Sequence, residues 1–321
     1  MATRAATVKY MAVDVGSLRL DTVKEFDLYL RVEDEEYVLY VSRENALTEQ
    51  ELAKLAEKKV KRLYVRSEQE EEYKRYVERH LPDIVRDPAV PAATKSRIVY
   101  EVSTSVVEDV FKEPRAETIQ RSKDVISSTV TLILSDDEAA RKLMQLTCHD
   151  YYTYTHSVNV CVFSVALAKK TFPSMSDDEF QRLGAGFTLH DVGKSSIPAK
   201  ILTKQGPLNE KEWDIMRTHP EESARILRET GHLTDEASVI ALQHHEWFNG
   251  SGYPNRLRAD EIHEFAQICT IADVFDALTT NRPYRDGMKS FDALKIMKDE
   301  MYDHFSKEFF DQFILLFAEH P

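Results

Sequence analysis

The chemistry-bearing residues of this 321-residue chain centre on His190-Asp191-Val-Gly-Lys194, a polar cluster set among Leu183, Phe187, Leu189 and Val192. An imidazole beside a carboxylate is a nitrogen and oxygen donor pair suited to divalent iron, manganese or zinc. Lys194 follows the histidine by about one helical turn and faces the same space. Burying such a pair is costly unless something binds it. Taken alone, the pair reads as a capped helix end: a satisfied core histidine, an aspartate bonded to backbone and a glycine stop. The rest of the inventory changes that reading, for His156, His219, His244-His245 and Asp273 follow the same habit. Each has an ordinary structural explanation of its own; His156, in an apolar stripe with Val160 and Phe163, would pass for a core histidine. Together they need a common purpose, and helical bundles build two-metal sites from inward-facing histidines and carboxylates on several helices.

Such residues have to be carried by helices, and apolar spacing predicts them over 137–146, 154–170, 177–189, 210–218, 223–228, 236–244, 265–278, 291–301 and 307–317. His219 precedes Pro220 and should mark the junction between two helices. His244-His245-Glu246 runs into Asn249-Gly-Ser-Gly-Tyr-Pro254, where two glycines and a proline demand a tight loop. Asp273 and Asp276 fall in an apolar helix. Upstream, helices are expected over 97–112 and 117–134 with Pro114 between them, and Pro82, Pro88 and Pro91 mark a linker. The N-terminal block is mixed: strands over 26–32 and 37–41 joined by an acidic turn, then a helix opened by Thr48 with Glu51 completing a capping box. A strand over 62–66 and an acidic helix over 68–81 complete it.

The expected architecture is a small α+β domain (1–82), a linker with a connecting helix (83–114) and an all-α helical bundle (115–321). The first block lacks a ligand cluster or phosphate-cradling glycines and reads as a regulatory or oligomerisation module. The helices joining the blocks could transmit a signal by rotation or dimer repacking, or serve as a plain connecting bundle.

A net charge of -13 argues against coating a nucleic-acid polymer or an anionic membrane. A small anionic ligand stays open where Lys and Arg are focused in a cleft. Cys148, Cys161 and Cys269 are widely spaced and read as reduced, packed thiols. No uncharged run reaches membrane-spanning length and no apolar stretch follows Met1, so a cytoplasmic protein is expected.

The ordered motifs are His190-Asp191-Val-Gly-Lys194 with Ile197-Pro198, Ile201-Leu-Thr-Lys204, Thr218-His-Pro220, Ile226-Leu227, His244-His-Glu246, Gly250-Ser-Gly-Tyr-Pro254, and Ala272-Asp273-Val-Phe-Asp-Ala-Leu278 with Arg282-Pro-Tyr-Arg285. From about residue 115 to the end, the chain resembles the HD-GYP family, HD-superfamily phosphodiesterases that hydrolyse cyclic di-GMP (c-di-GMP) to pGpG or GMP. The N-terminal block is more loosely similar to an accessory domain found ahead of some of its members. The resemblance implies two divalent metals, iron or manganese. His156, His190, Asp191 and Asp273 would hold one; His219, His244 and His245 would hold the other, with Asp191 bridging. It also implies a catalytic role for Asp191 and Lys194, with Lys194, Tyr253, Arg282 and Arg285 meeting substrate. Protein partners such as GGDEF-type cyclases, through the Gly-Tyr-Pro loop or the N-terminal domain, and a homodimer are further implications.

Five positions depart from the family pattern. Tyr152 stands where members with a third metal carry Glu, which predicts two metals. Asn249 replaces Asp, keeping the turn but losing a charge; Trp247-Phe248 and Ser223 are expected to narrow substrate entry. The second reading these departures keep open is a weakly active or inactive metal-binding receptor or scaffold. A third is an HD-type hydrolase acting on another nucleotide.

Overall fold

The computed structural model describes residues 8–20, 22, 25–33, 36–147, 153–231, 233–281 and 286–318. Two compact units emerge, Met1–Val102 and Ser103–Pro321.

The first unit carries a four-stranded antiparallel sheet in the order β1-β4-β2-β3, formed by β1 (Tyr10–Asp14), β2 (Leu28–Glu33), β3 (Glu36–Val41) and β4 (Arg62–Arg66). In β4, Leu63 and Val65 are buried and alternate with Arg62, Tyr64 and Arg66, as the two-residue period of a half-buried strand requires. β2 and β3 pair as the expected hairpin, whose tip at residues 34 and 35 lies outside the described residues. β1 carries little signal in the sequence, since its five residues bury only Val13 and no turn signal precedes it. Tyr10 stacks on Tyr37 at 4.0 Å and meets Tyr29 edge-on at 5.1 Å.

Helix α1 (Glu49–Glu57) opens with the expected capping box: Glu51 N–H donates to Thr48 Oγ1, and Glu51 Oε2 accepts from Thr48 N–H at 2.8 Å. Pro82 does not end the acidic helix. It lies inside α2 (Glu70–Arg86), because continuing one turn buries Leu81, Ile84 and Val85. Each such side chain contributes roughly 1.5–3 kcal/mol, enough together to offset the lost hydrogen bond and the ring clash. Phe26, fully buried, packs edge-to-face on Tyr73 and Tyr76 of α2 at 5.5 and 5.3 Å.

Helix α3 (Ala92–Lys112) begins in the first unit and runs into the second, and Pro114 separates it from α4 (Ala116–Ser135) as expected. There follow α5 (Asp137–Leu146), α6 (Thr153–Thr171), α7 (Asp177–Leu189), α8 (Ala199–Leu202), α9 (Glu210–Met216), α10 (His219–Glu229) and α11 (Asp235–Gln243). The last three are α12 (Glu264–Thr279), α13 (Ser290–Glu300) and α14 (Lys307–Ala318). Helices α6 and α12 are apolar nearly all round, so they fill the middle of the bundle, packed on each other and on α14. Phe163, Phe275 and Phe313 lock that triple contact, with Phe163 to Phe275 and Phe275 to Phe313 both at 5.1 Å. His156 stands two turns before Phe163 on the same helix, so the aromatic lock also fixes where its imidazole can point. Cys161 and Cys269 are buried free thiols, whereas Cys148 lies outside the described residues.

Candidate metal centre

Helix ends deliver most of the polar residues to one place. His190 is the C-cap of α7, Asp191 follows and opens a short 3-10 turn over Val192–Ser196, His219 is the first residue of α10, and His244 caps α11. His156 and Asp273 come from within α6 and α12. Gly193 makes the approach of α10 feasible: a Cβ there would lie 2.3 Å from the His219 carbonyl oxygen and 2.5 Å from Ser223 N. Its own N–H donates to Ser223 Oγ at 2.8 Å, pinning the turn after Asp191 to the first turns of α10.

The imidazoles are held through Nδ1. His190 donates to Phe187 O at 2.8 Å, His219 to Met216 O at 2.7 Å and His244 to Ala241 O at 2.8 Å, in each case the carbonyl three residues back. A carbonyl oxygen only accepts, so these rings carry their proton on Nδ1 and turn an Nε2 lone pair inward. His156 Nδ1 is bonded to Asp276 Oδ2 at 2.7 Å, which leaves its Nε2 facing Asp273 Oδ1 at 3.0 Å.

Asp191 stands at the meeting point, fully buried. Its Oδ1 lies 3.1 Å from His219 Nε2 and 3.5 Å from His244 Nε2; its Oδ2 lies 3.6 Å from His156 Nε2 and 3.5 Å from His190 Nε2 and also pairs with Lys194 Nζ. One oxygen thus faces each of two histidine groups. Donor atoms of Asp191, His219, His244 and His245 all lie within 4.8 Å of one another, as do those of His156, His190 and Asp191. Asp273 spans the two groups, with its second oxygen 3.6 Å from His245 Nδ1.

Burial alone would raise the Asp191 carboxyl, but Lys194 and the surrounding imidazoles hold it well below the usual carboxylate range. Asp273 is likewise opposed by burial and held low by His156 and His245. Burial pushes His244 down to about 4 and, with His244 beside it, takes His245 well below the ordinary value.

The inward atoms crowd together: His219 Nε2 and His244 Nε2 are 3.3 Å apart, and His190 Nε2 and Asp191 Oδ1 are buried without a hydrogen bond. Unpaired buried acceptors are costly, and a divalent cation is what an inward set of imidazole nitrogens and carboxylate oxygens accommodates. The residues present therefore fit metal ions.

Residues 140–308 match the HD domain family. The chain belongs to that family, in its HD-GYP form. A cyclic di-GMP phosphodiesterase of Pseudomonas aeruginosa is 31% identical over 220 residues, which are 68% of this chain and 52% of that protein. The 3'3'-cGAMP-specific phosphodiesterase 2 of Vibrio cholerae is 37% identical over 53% of this chain and 34% of its own length. The chain thus spans about half or less of these curated relatives. The HDG"Y"P protein of Bdellovibrio bacteriovorus shares the fold, with a TM-score of 0.67, 23% identity and coverage of 97% of this chain and 100% of that one.

In this HD-GYP domain the Gly-Tyr-Pro loop is anchored by Glu246, a buried residue absent from the expected site. Its carboxylate accepts N–H bonds from Asn255 at 2.6 Å and Leu257 at 3.0 Å. A Cβ on Gly252 would fall 2.4 Å from His245 O, so only glycine lets the loop close on the histidine pair. Tyr253 then donates its N–H to His245 O at 3.0 Å and stacks its ring on the His245 imidazole at 4.8 Å.

Asn249 keeps its turn role: its Oδ1 accepts from Ser251 N–H at 3.0 Å, while its Nδ2 donates to Asp303 Oδ2 at 3.0 Å, where an aspartate would place like charges together. Two of the three residues expected to narrow substrate entry, Ser223 and Trp247, make structural contacts of their own. Ser223 is buried beneath Gly193, and the Trp247 ring stacks on His304 at 3.8 Å. Arg282, Arg285 and Tyr152 lie outside the described residues. Asp276 also goes beyond the expected ligand set; its carboxylate in an apolar helix is visible in the sequence, but its bond to His156 on another helix is not.

Proposed function

We propose that the chain is a metal-dependent phosphodiesterase that hydrolyses the cyclic dinucleotide c-di-GMP to pGpG or GMP. The observation that carries the reading is Asp191, with one oxygen toward His219 and His244 and the other toward His156 and His190. Its relatives support the substrate class, being named for c-di-GMP and for 3'3'-cGAMP.

On this reading His156, His190, Asp191 and Asp273 hold one divalent ion and His219, His244, His245 and Asp191 the other, iron or manganese. When bound, the ions supply positive charge to the scissile phosphate and acidify the attacking water. The protein's part is to hold the ligands rigid: three rings are fixed as Nδ1–H tautomers by backbone carbonyls, and His156 is oriented by Asp276. Asn159 Nδ2 and Thr280 Oγ1 donate to Asp276 Oδ1 at 2.8 and 2.9 Å, so that carboxylate is itself held from the far side. Lys194 reaches the same oxygen of Asp191 from the less buried side, where it can shift to a non-bridging phosphate oxygen or give a proton to the leaving alkoxide. Arg282 and Arg285 are assigned charge-assisted contacts to phosphate or guanine edges.

The proposed division of labour keeps catalysis in 115–321 and regulation in 1–82, joined by 83–114, with dimer formation or cyclase-type partners acting through the N-terminal block or the Gly-Tyr-Pro loop. Among the described residues no helix is long and apolar enough to cross a membrane. A cytoplasmic setting belongs to this proposal.

The test is to load the protein anaerobically with iron or manganese and follow c-di-GMP and 3'3'-cGAMP by chromatography of products. Conversion of c-di-GMP to pGpG is expected. Preference for 3'3'-cGAMP would move the reading to the substrate named for the Vibrio cholerae relative. Tight binding of a dinucleotide without product would favour the receptor reading.

A further inference from the structure

Beside the metal centre lies a cavity of about 540 Å³ lined by the 250–254 loop, Arg217 and Arg256. Its volume falls in the range of nucleotide-sized ligand sites. Tyr253 links it to the ligands, since its ring stacks on His245 and has the Arg217 guanidinium 6.0 Å from its centroid. The same guanidinium lies 5.7 Å from the Trp213 ring. Arg217 is therefore braced by two aromatic rings at the cavity wall.

Arg256 is held in the left-handed backbone region at φ 57°, a conformation that costs a residue with a Cβ about 1–2 kcal/mol. The bonds from Asn255 and Leu257 to buried Glu246 fix it there, and its side chain is exposed. The fold at this point would be served better by glycine, so the arginine is not explained by packing. Strain of this kind is commonly kept at ligand clamps. Among the described residues, neither Arg217 nor Arg256 pairs with a carboxylate, although the chain has 55 acids against 42 Lys and Arg. Two exposed guanidinium groups without acid partners, on one cavity of an acidic protein, make an anion site.

We propose that Arg217 and Arg256 bind the phosphodiester of the cyclic dinucleotide that is not being cut, and so set the preference for a ligand with two phosphates. This rests on the phosphodiesterase reading above. Each charge-assisted contact is expected to be worth about tenfold in KM.

The experiment compares c-di-GMP with bis(p-nitrophenyl) phosphate, which has a single phosphodiester, using metal-loaded full-length protein. Arg256→Gly relieves the backbone strain while removing the cation, and Arg217→Gln removes the other. Each should raise KM for c-di-GMP about tenfold with kcat within about twofold, and both together about a hundredfold. KM for bis(p-nitrophenyl) phosphate should move by less than about twofold, and Arg256→Lys should recover part of the loss. Equal losses on the two substrates, or an unchanged KM for c-di-GMP in both variants, would overturn the subsite. A wild-type protein that cleaves bis(p-nitrophenyl) phosphate but not c-di-GMP would instead bring down the phosphodiesterase reading, and this subsite with it.

Discussion

Asp191 offers one carboxylate oxygen to each of two histidine groups, so removing it acts on both at once. Asp191→Ala is expected to strip both metals and lower turnover by more than a thousandfold, read by metal analysis and product formation. Lys194 reaches the same carboxylate but brings no lone pair when charged. Lys194→Ala should therefore keep the metal while lowering kcat by roughly 10–1000-fold. Loss of metal in that variant would make Lys194 a support for Asp191 instead. Asp276 touches His156 alone among the ligands, through Nδ1 at 2.7 Å. Asp276→Asn can present either a donor or an acceptor to that nitrogen, and is expected to weaken metal affinity roughly 10–100-fold without unfolding the bundle. These three roles differ in how visible they were beforehand. Asp191 and Lys194 stand in one short motif, whereas the use of Asp276 depends on α6 and α12 lying side by side, which no spacing within either helix records.

The helices bring their ligands in by their ends, and that is where the sequence was most and least informative. The helices over 137–146 and 177–189 were read to the residue, because Asp136 and Ser176 cap them and the apolar face is regular. Apolar spacing starts α10 at 223 and makes Pro220 a separator, whereas the helix begins at His219, proline being well suited to a helix's first turn. Pro82 misled in the same way at the end of α2, where buried Leu81, Ile84 and Val85 carried the helix on. The junction between α7 and α10 depends on the bare backbone of Gly193. Gly193→Ala is expected to cost about 1–3 kcal/mol by overpacking and to push His219 away from Asp191, lowering thermal stability and metal retention together. A variant as stable and as metal-rich as the parent would show that the junction can relax.

At the scale of the molecule, the order of units was legible from composition: a strand-bearing N-terminal block followed by a chain that turns helical. The point of division was not. Contacts separate the units between Val102 and Ser103, inside the continuous helix α3, where neither proline nor glycine marks a change. The helical unit buries an excess of inward lone pairs, so bound cations should stabilise it by mass action. At a hundredfold excess of manganese over its Kd, one site contributes about 2.7 kcal/mol, or a rise in Tm of roughly 5–10 °C for that unit, reversed by a chelator. A melting curve indifferent to both additions would mean that the native state gains nothing from metal.

The metal content of protein purified without oxygen, compared between the parent chain and Asp191→Ala, tests the central claim most directly. The account predicts about two equivalents of iron or manganese per chain in the parent and almost none in the variant. A parent that holds no metal after loading, or a variant that keeps both ions, would contradict it.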